Sequence, residues 1–159
     1  MVIDAFVARV LHVLGVVVWI GGVAMVTTVL LPTTRRLKSA AERVEFFEQI
    51  EAGFARQARW TTSITGLSGF YLAYALDAWD RFTQPAYWWM HAMVLVWGIF
   101  TLMLFVLEPI WLHRWFRASA QRNPEKTFTL IQRLHWLLLA ASLITIAGAV
   151  AGAHGWRIG

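Results

Sequence analysis

Five histidines stand in a chain dominated by apolar residues, and imidazole in such surroundings is the first place to look for chemistry. His12 lies in the uncharged stretch LHVLGVVVWIGG and His91 in WWMHAM. A polar group inside a bilayer is costly and ordinarily faces other protein, where it pairs, relays protons or binds something. Histidines on facing helices of a bundle are one way to hold heme iron without a covalent link. At the rise of an α-helix, His12 falls about 9 Å to the outer side of the middle of its span and His91 about 13 Å to the outer side of its own. The two therefore share a membrane level. Gly15, Trp19 and Gly22 project within about 80° of His12, and Gly98 and Thr101 do so for His91. Glycine lets a flat ring come close to the backbone. Together these residues outline a pocket for heme b between spans one and three, with His12 and His91 as metal ligands and Gly15, Trp19, Gly22 and Gly98 lining it. The plainer use of the same residues is a histidine hydrogen-bonded between helices beside glycines that serve small-xxx-small packing.

Other groups are candidates of a weaker kind. His135 lies about 9 Å to the inner side of the middle of span four, too deep to join the first pair within one protomer. It shares a face with Ser142, Thr145 and Ala149, which suits interhelical hydrogen bonding or a second metal site completed by another subunit. Met93 and Met90 flank His91. Met93 is a candidate axial ligand, or the set binds Cu(I), although methionine in an apolar helix is commonly filler. His113 and His154 belong to helix ends, and Glu108, directly before Pro109, reads as one half of a salt bridge or as a proton carrier.

The elements that must position these groups follow from hydropathy. Of 159 residues, 58% are hydrophobic, 14% are aromatic and ten are tryptophan, with mean hydropathy +0.56, well above a soluble domain. Charge-free runs of membrane-spanning length extend from Val10 to Thr34, Phe82 to Leu107 and Leu134 to Trp156. A fourth run, Trp60 to Leu76, is about 17 residues long and needs flanking helix to cross. Ser39 followed by Glu42 forms a capping box, and Val44, Phe47, Ile50 and Phe54 recur at helical spacing. One long helix from Ala40 to Ala78 is expected, its first half amphipathic.

The net charge of +5 is confined to two loops, which argues against nucleic acid and for membrane topology. Arg35, Arg36, Lys38, Arg43, Arg56 and Arg59 lie between spans one and two. Arg114, Arg117, Arg122, Lys126 and Arg133 lie between spans three and four. Basic loops stay cytoplasmic during insertion, so both termini are expected outside. Asp4 ahead of a long apolar core argues against a cleavable signal peptide. The absence of cysteine excludes disulfides, thiolate metal sites, iron–sulfur clusters and covalently attached heme. No phosphate loop, dinucleotide-binding glycine pattern or HExxH motif is present.

The expectation is a single all-α domain over 1–159, an integral membrane bundle of four transmembrane helices, with left-handed packing. Its spans cover 5–32, 57–78, 86–112 and 127–155, and a cytoplasmic extension of the second helix covers 40–56. Thr61, Thr62, Thr65, Gly66, Ser68 and Gly69 give span two a small, polar character suited to close contacts, including those of a homodimer.

LHVLGVVVWIGG followed by LLP, the Arg-rich approach to span two, WWMHAMVLVWG in span three and PEKTF before span four resemble the superfamily of HemJ-type protoporphyrinogen IX oxidases and copper-resistance D (CopD) proteins. The resemblance covers nearly the whole chain and implies a bacterial cytoplasmic (inner) membrane protein. In HemJ-type members the first-span histidine is implicated in heme b binding, and His12 matches it. A Trp-x-His-x-Lys motif opens their third span. Trp89 and His91 match it, but Met93 occupies the lysine position, which sets protoporphyrinogen oxidation in doubt. The CopD-like relatives imply copper uptake or resistance, with Met25, Met90, His91 and Met93 as the residues concerned. The resulting expectation is a b-type cytochrome-like protein engaged in electron transfer or redox chemistry with quinone or another redox partner. The alternatives are a heme-dependent oxidoreductase acting on protoporphyrinogen, a copper transporter or binding protein, and a heme-based sensor.

Overall fold

The computed structural model describes residues 2–36 and 39–156 and is all-helical, with no strand among them. The first rod comprises α1 (Val2–Met25), a widened π turn at Val26–Leu30 and a short α2 (Leu31–Thr34). The second is α3 (Ala40–Ala75), 36 residues or about 54 Å long. Two 3₁₀ turns, Trp79–Thr83 and Pro85–Tyr87, lead into α4 (Trp88–Leu102). A π segment at Met103–Leu112 and α5 (His113–Arg122) continue that rod, and α6 (Pro124–Ala153) is the fourth. Three stretches are long and apolar enough to cross a membrane: Ile3–Thr34, Pro85–Arg122 and Pro124–Ala153.

Local chemistry explains the boundaries. Ser39 Oγ accepts from the Glu42 backbone N–H, and Glu42 accepts from the Ser39 N–H, so the expected capping box starts α3. Asn123 caps α6 by accepting from the Lys126 N–H, with Pro124 at the first helical position, where its missing donor costs nothing. At the close of α3, Asp77 adopts a left-handed conformation (φ 45°) and turns the chain toward the 3₁₀ segment. The third rod runs on to Arg122, ten residues past the expected limit of its span, because the polar residues of α5 still have a partner surface.

The widened turn around Pro109 has a specific compensation. In the π register, residue 109 would donate to the carbonyl five residues earlier, which belongs to Leu104, but proline has no N–H. Arg59 Nε donates to that Leu104 carbonyl at 3.1 Å, while its Nη2 pairs with the Glu108 carboxylate. One α3 side chain thus repairs the break in the neighbouring helix.

The rods associate as two pairs, α1 with α3 and α4 with α6, and contacts between the pairs are sparser. At the arginine-rich end the pairs are tied together by Phe47, Phe116 and Phe128, whose ring centroids lie 5.2–5.9 Å apart. Around this cluster, Glu48 of α3 takes both Nε and Nη2 of Arg117 at 2.7 and 2.9 Å, and Arg43 pairs with Glu125. A second layer, Trp19, Ile20, Val23, Phe100 and Leu139, fills the middle of the bundle. The remaining length, toward the termini, is filled only in part, by Trp97 against Gly66 and Phe70 and by Trp88 and Trp89 against Gly148 and Gly152.

Glu51 lies among the charges of the arginine-rich end. Burial, with the negative charges of Glu108 and Glu48 nearby, pushes its carboxyl up to about 7, only partly countered by Arg59. Between about pH 4.5 and 7 the folded protein therefore binds more protons at this site than the unfolded chain does, and stability falls as pH rises. Glu51→Gln should remove that slope, leaving the variant more stable than wild type at pH 8 and indistinguishable near pH 4, as read by thermal melts in detergent across that range.

Candidate functional site

Above the Trp19–Phe100 layer, on the side of the termini, the two helix pairs flank a half-open cavity of about 640 Å³. That is within the range of about 300–1,000 Å³ usual for small-molecule and cofactor sites. Its walls come from all four rods: His12, Val16 and Trp19 on α1; Thr65, Gly69 and Ala73 on α3; Met90, Met93 and Trp97 on α4; Ser142, Thr145 and Ala149 on α6. Arg9, Arg81 and Phe82 complete the lining near the ends of the helices.

His12 is held on this wall by α3. Its Nδ1–H donates to the Thr65 carbonyl at 2.9 Å, with Ser68 Oγ 3.5 Å from the same nitrogen. A carbonyl can only accept, so Nδ1 carries the proton and the lone pair sits on Nε2, for which the described residues offer no hydrogen bond. The imidazole occupies the space left by Gly69, where a Cβ would come within 2.9 Å of His12 Cε1. A histidine whose Nδ1–H is fixed by a backbone carbonyl is oriented to offer Nε2 to a metal.

The opposite wall presents Met90, which is buried, and Met93, which is half-buried. Trp97 is braced by its indole N–H, which donates to the Thr62 carbonyl at 2.9 Å, and by the gap at Gly66. The hydroxyls of Ser142 and Thr145 return to the carbonyls of Leu138 and Ala141 four residues back, so α6 contributes a wall without a free donor. Three lining residues carry a buried polar atom without a hydrogen-bond partner: Trp19 Nε1, Thr65 Oγ1 and Trp89 Nε1. Thr65 Oγ1 abuts Gly15 and Trp89 Nε1 abuts Gly152, each at a helix contact. Trp19, 3% exposed, has no hydrogen-bond partner at its nitrogen among the described residues.

The structure separates the residues that the sequence placed together. His12, Trp19 and Met93 line the cavity; His91, Gly15, Gly22 and Gly98 do not. His91 is exposed, and its ring meets Phe82, which does line the cavity, in a T-shaped contact at 5.4 Å. The expectation that His12 and His91 face each other across one gap is corrected accordingly: a shared level did not entail a shared face. Gly15 instead admits Thr65 and the Thr61 carbonyl, and Gly22 admits the Phe54 ring, so both serve the α1–α3 contact. Gly98 has nothing within 4 Å of where a Cβ would be. His135 is half-buried outside the cavity, with Nδ1–H donating to the Ile131 carbonyl at 2.9 Å. His154 does the same to Val150, and His113 lies 4.0 Å from Glu48. Glu108 pairs with Arg59. Among the described residues no group of three or more His, Asp or Glu side chains is arranged to hold a metal ion.

Sequence reasoning missed Gly69, Thr65 and the two arginines. Gly69 carried a signal, since it is a glycine on span two at a depth close to that of His12, but it was absorbed into the general small-residue character of that span. The chain matches no protein-family model, no curated protein and no solved structure.

The two glycine roles are separable by substitution. A Cβ at Gly15 would lie 2.5 Å from Thr65 Oγ1 and 3.4 Å from the Thr61 carbonyl. Gly15→Val should therefore push α1 off α3 and cost about 1–3 kcal/mol, while Gly98→Val should leave the thermal midpoint in detergent nearly unchanged.

Proposed function

We propose that this chain is a membrane-embedded, b-type heme-binding protein that carries electrons or performs redox chemistry on a small or lipid-soluble partner such as quinone. The observation that carries the reading is His12: an imidazole with Nδ1–H committed to a backbone carbonyl and Nε2 unengaged, on the wall of a cavity of cofactor size. The group fits the residues present. Gly69 makes room for the imidazole, the walls are apolar, and Met93 on the facing helix offers a thioether as a second ligand. In this reading His12 holds the iron, Thr65 fixes the tautomer, and Trp19, Trp97 and Met90 exclude water. Heme so held supplies one-electron transfer between two iron oxidation states, at a potential tuned by axial ligands and the dry surroundings.

The membrane arrangement belongs to the same proposal. All four rods cross, α3 with its less polar half, and both basic ends of the loops stay in the cytoplasm of a bacterial cell, leaving the cavity and both termini near the outer face. The buried hydroxyls of Thr62, Thr65 and Ser68 support a crossing α3, since they face protein and not lipid. A homodimer remains part of the proposal through the exposed faces of the rods.

A second reading, copper binding, is favoured by one observation: Met90, Met93 and His12 all line the cavity, and thioether with imidazole suits Cu(I). The protoporphyrinogen oxidase reading has less support, because the position of the family's lysine is Met93, which can neither carry a positive charge nor donate a proton.

Purified protein should be red, with a Soret band and split bands on reduction. His12→Ala should abolish the absorbance and Gly69→Val should shift or weaken it by displacing the imidazole, whereas His91→Ala and His135→Ala should leave it in place. A colourless preparation holding stoichiometric copper, or a Soret band unaltered in His12→Ala, would overturn the heme assignment.

A further inference from the structure

At the end carrying the phenylalanine cluster three arginines have carboxylate partners, Arg43 with Glu125, Arg59 with Glu108 and Arg117 with Glu48. Arg35 and Arg114 bond to Thr129 and the Ile110 carbonyl, and Arg36, Arg56, Arg122 and Arg133 pair with no carboxylate among the described residues. At the opposite end Arg9 and Arg81 line the cavity, and no carboxylate among the described residues pairs with either. Arg81 is half-buried, with its guanidinium carbon 5.4 Å from the centre of the Tyr87 ring. Arg9 stands three residues before His12, hence on the same face of α1 and nearer its N-terminus. Arg9 is exposed and Arg81 half-buried on an otherwise apolar lining, and the guanidinium fork of each matches carboxylate geometry.

We propose that Arg9 and Arg81 form an acid-recognising rim that would seat the paired carboxylates of a planar tetrapyrrole whose apolar ring occupies the cavity lined by His12. This rests on the heme reading of the cavity and extends it to ligand orientation and selection. The carboxylates point toward the termini, and diacid tetrapyrroles are selected over neutral esters of the same shape.

The test uses iron-free porphyrin, which cannot be ligated by His12, so that rim and ligand contributions separate. Mesoporphyrin IX and its dimethyl ester are titrated into the full chain in phosphatidylcholine nanodiscs, reading quenching of tryptophan emission. The diacid should bind at least about tenfold more tightly than the ester, and Arg9→Gln and Arg81→Gln should each weaken the diacid about tenfold while leaving the ester unchanged. Arg81→Lys should restore part of the loss. Equal affinity for diacid and ester in the wild type, or a loss in the arginine variants that affects both probes alike, overturns the rim. If a His12-dependent Soret band persists in that case, the heme reading stands without it; if neither porphyrin binds and no Soret band forms, both fall. Loss of the diacid preference when phosphatidylglycerol replaces phosphatidylcholine assigns the arginines to lipid headgroups and also overturns the proposal.

Discussion

Close approach of helices in pairs is the constraint on which this structure depends. In lipid, apolar side chains gain little by leaving the solvent for one another, so helices associate where small residues let backbones meet and where polar groups find partners. Gly15 and Gly22 bring α1 onto α3, and Gly148 and Gly152 bring α4 onto α6 by admitting the rings of Trp88 and Trp89. Between the pairs the separation is set by large side chains: three phenylalanines close it at one end and Trp19 with Phe100 closes it in the middle. Beyond that layer Trp97 crosses to Thr62 and Gly66 of α3 and meets Phe70, and the cavity is what remains beside it.

The same arrangement explains why His12 is available for chemistry. A histidine on a lipid-facing surface would need to satisfy both nitrogens or pay for their exposure to hydrocarbon. Here α3 supplies one acceptor, the Thr65 carbonyl, and Gly69 supplies space, so the ring is oriented by its own packing. The other nitrogen is left to whatever enters. The proposed heme reading rests on this side chain, fixed at one nitrogen by a backbone carbonyl.

How much of this was readable from the sequence depends on which coordinate is asked for. Position along a helix axis is well encoded. Hydropathy and capping signals located the four rods and the Ser39–Glu42 box, because rise per residue is nearly constant and the box satisfies a helix start locally. Rotation about the axis and choice of neighbour are encoded far less directly. His91 turns outward against Phe82, and Gly98 has open space where a Cβ would be. Gly15 and Gly22 are small for the reason suspected of them, close approach, but what approaches is α3 and not a cofactor. Gly69 was overlooked since its role appears only once α1 is known to lie against α3. The ion pairs linking Arg59 to Glu108 and Glu48 to Arg117 depend on helix neighbours in the same way.

The widened turns at Val26–Leu30 and Met103–Leu112 carry a further consequence. A π turn holds about one residue more than an α turn, so it acts as an insertion in helical phase, rotating everything downstream by about 100° relative to an unbroken helix. The faces of α4 and α5 are therefore not continuous in a 3.6-residue pattern, although they lie on one rod. A chain shorter by a single residue between Met103 and Pro109 would keep the upper half of the rod intact while swinging Arg117 and Phe116 away from Glu48 and Phe47. In this fold, length within one helix governs the azimuth of its far end, and a deletion that leaves the cavity untouched would unfasten the end that closes the bundle.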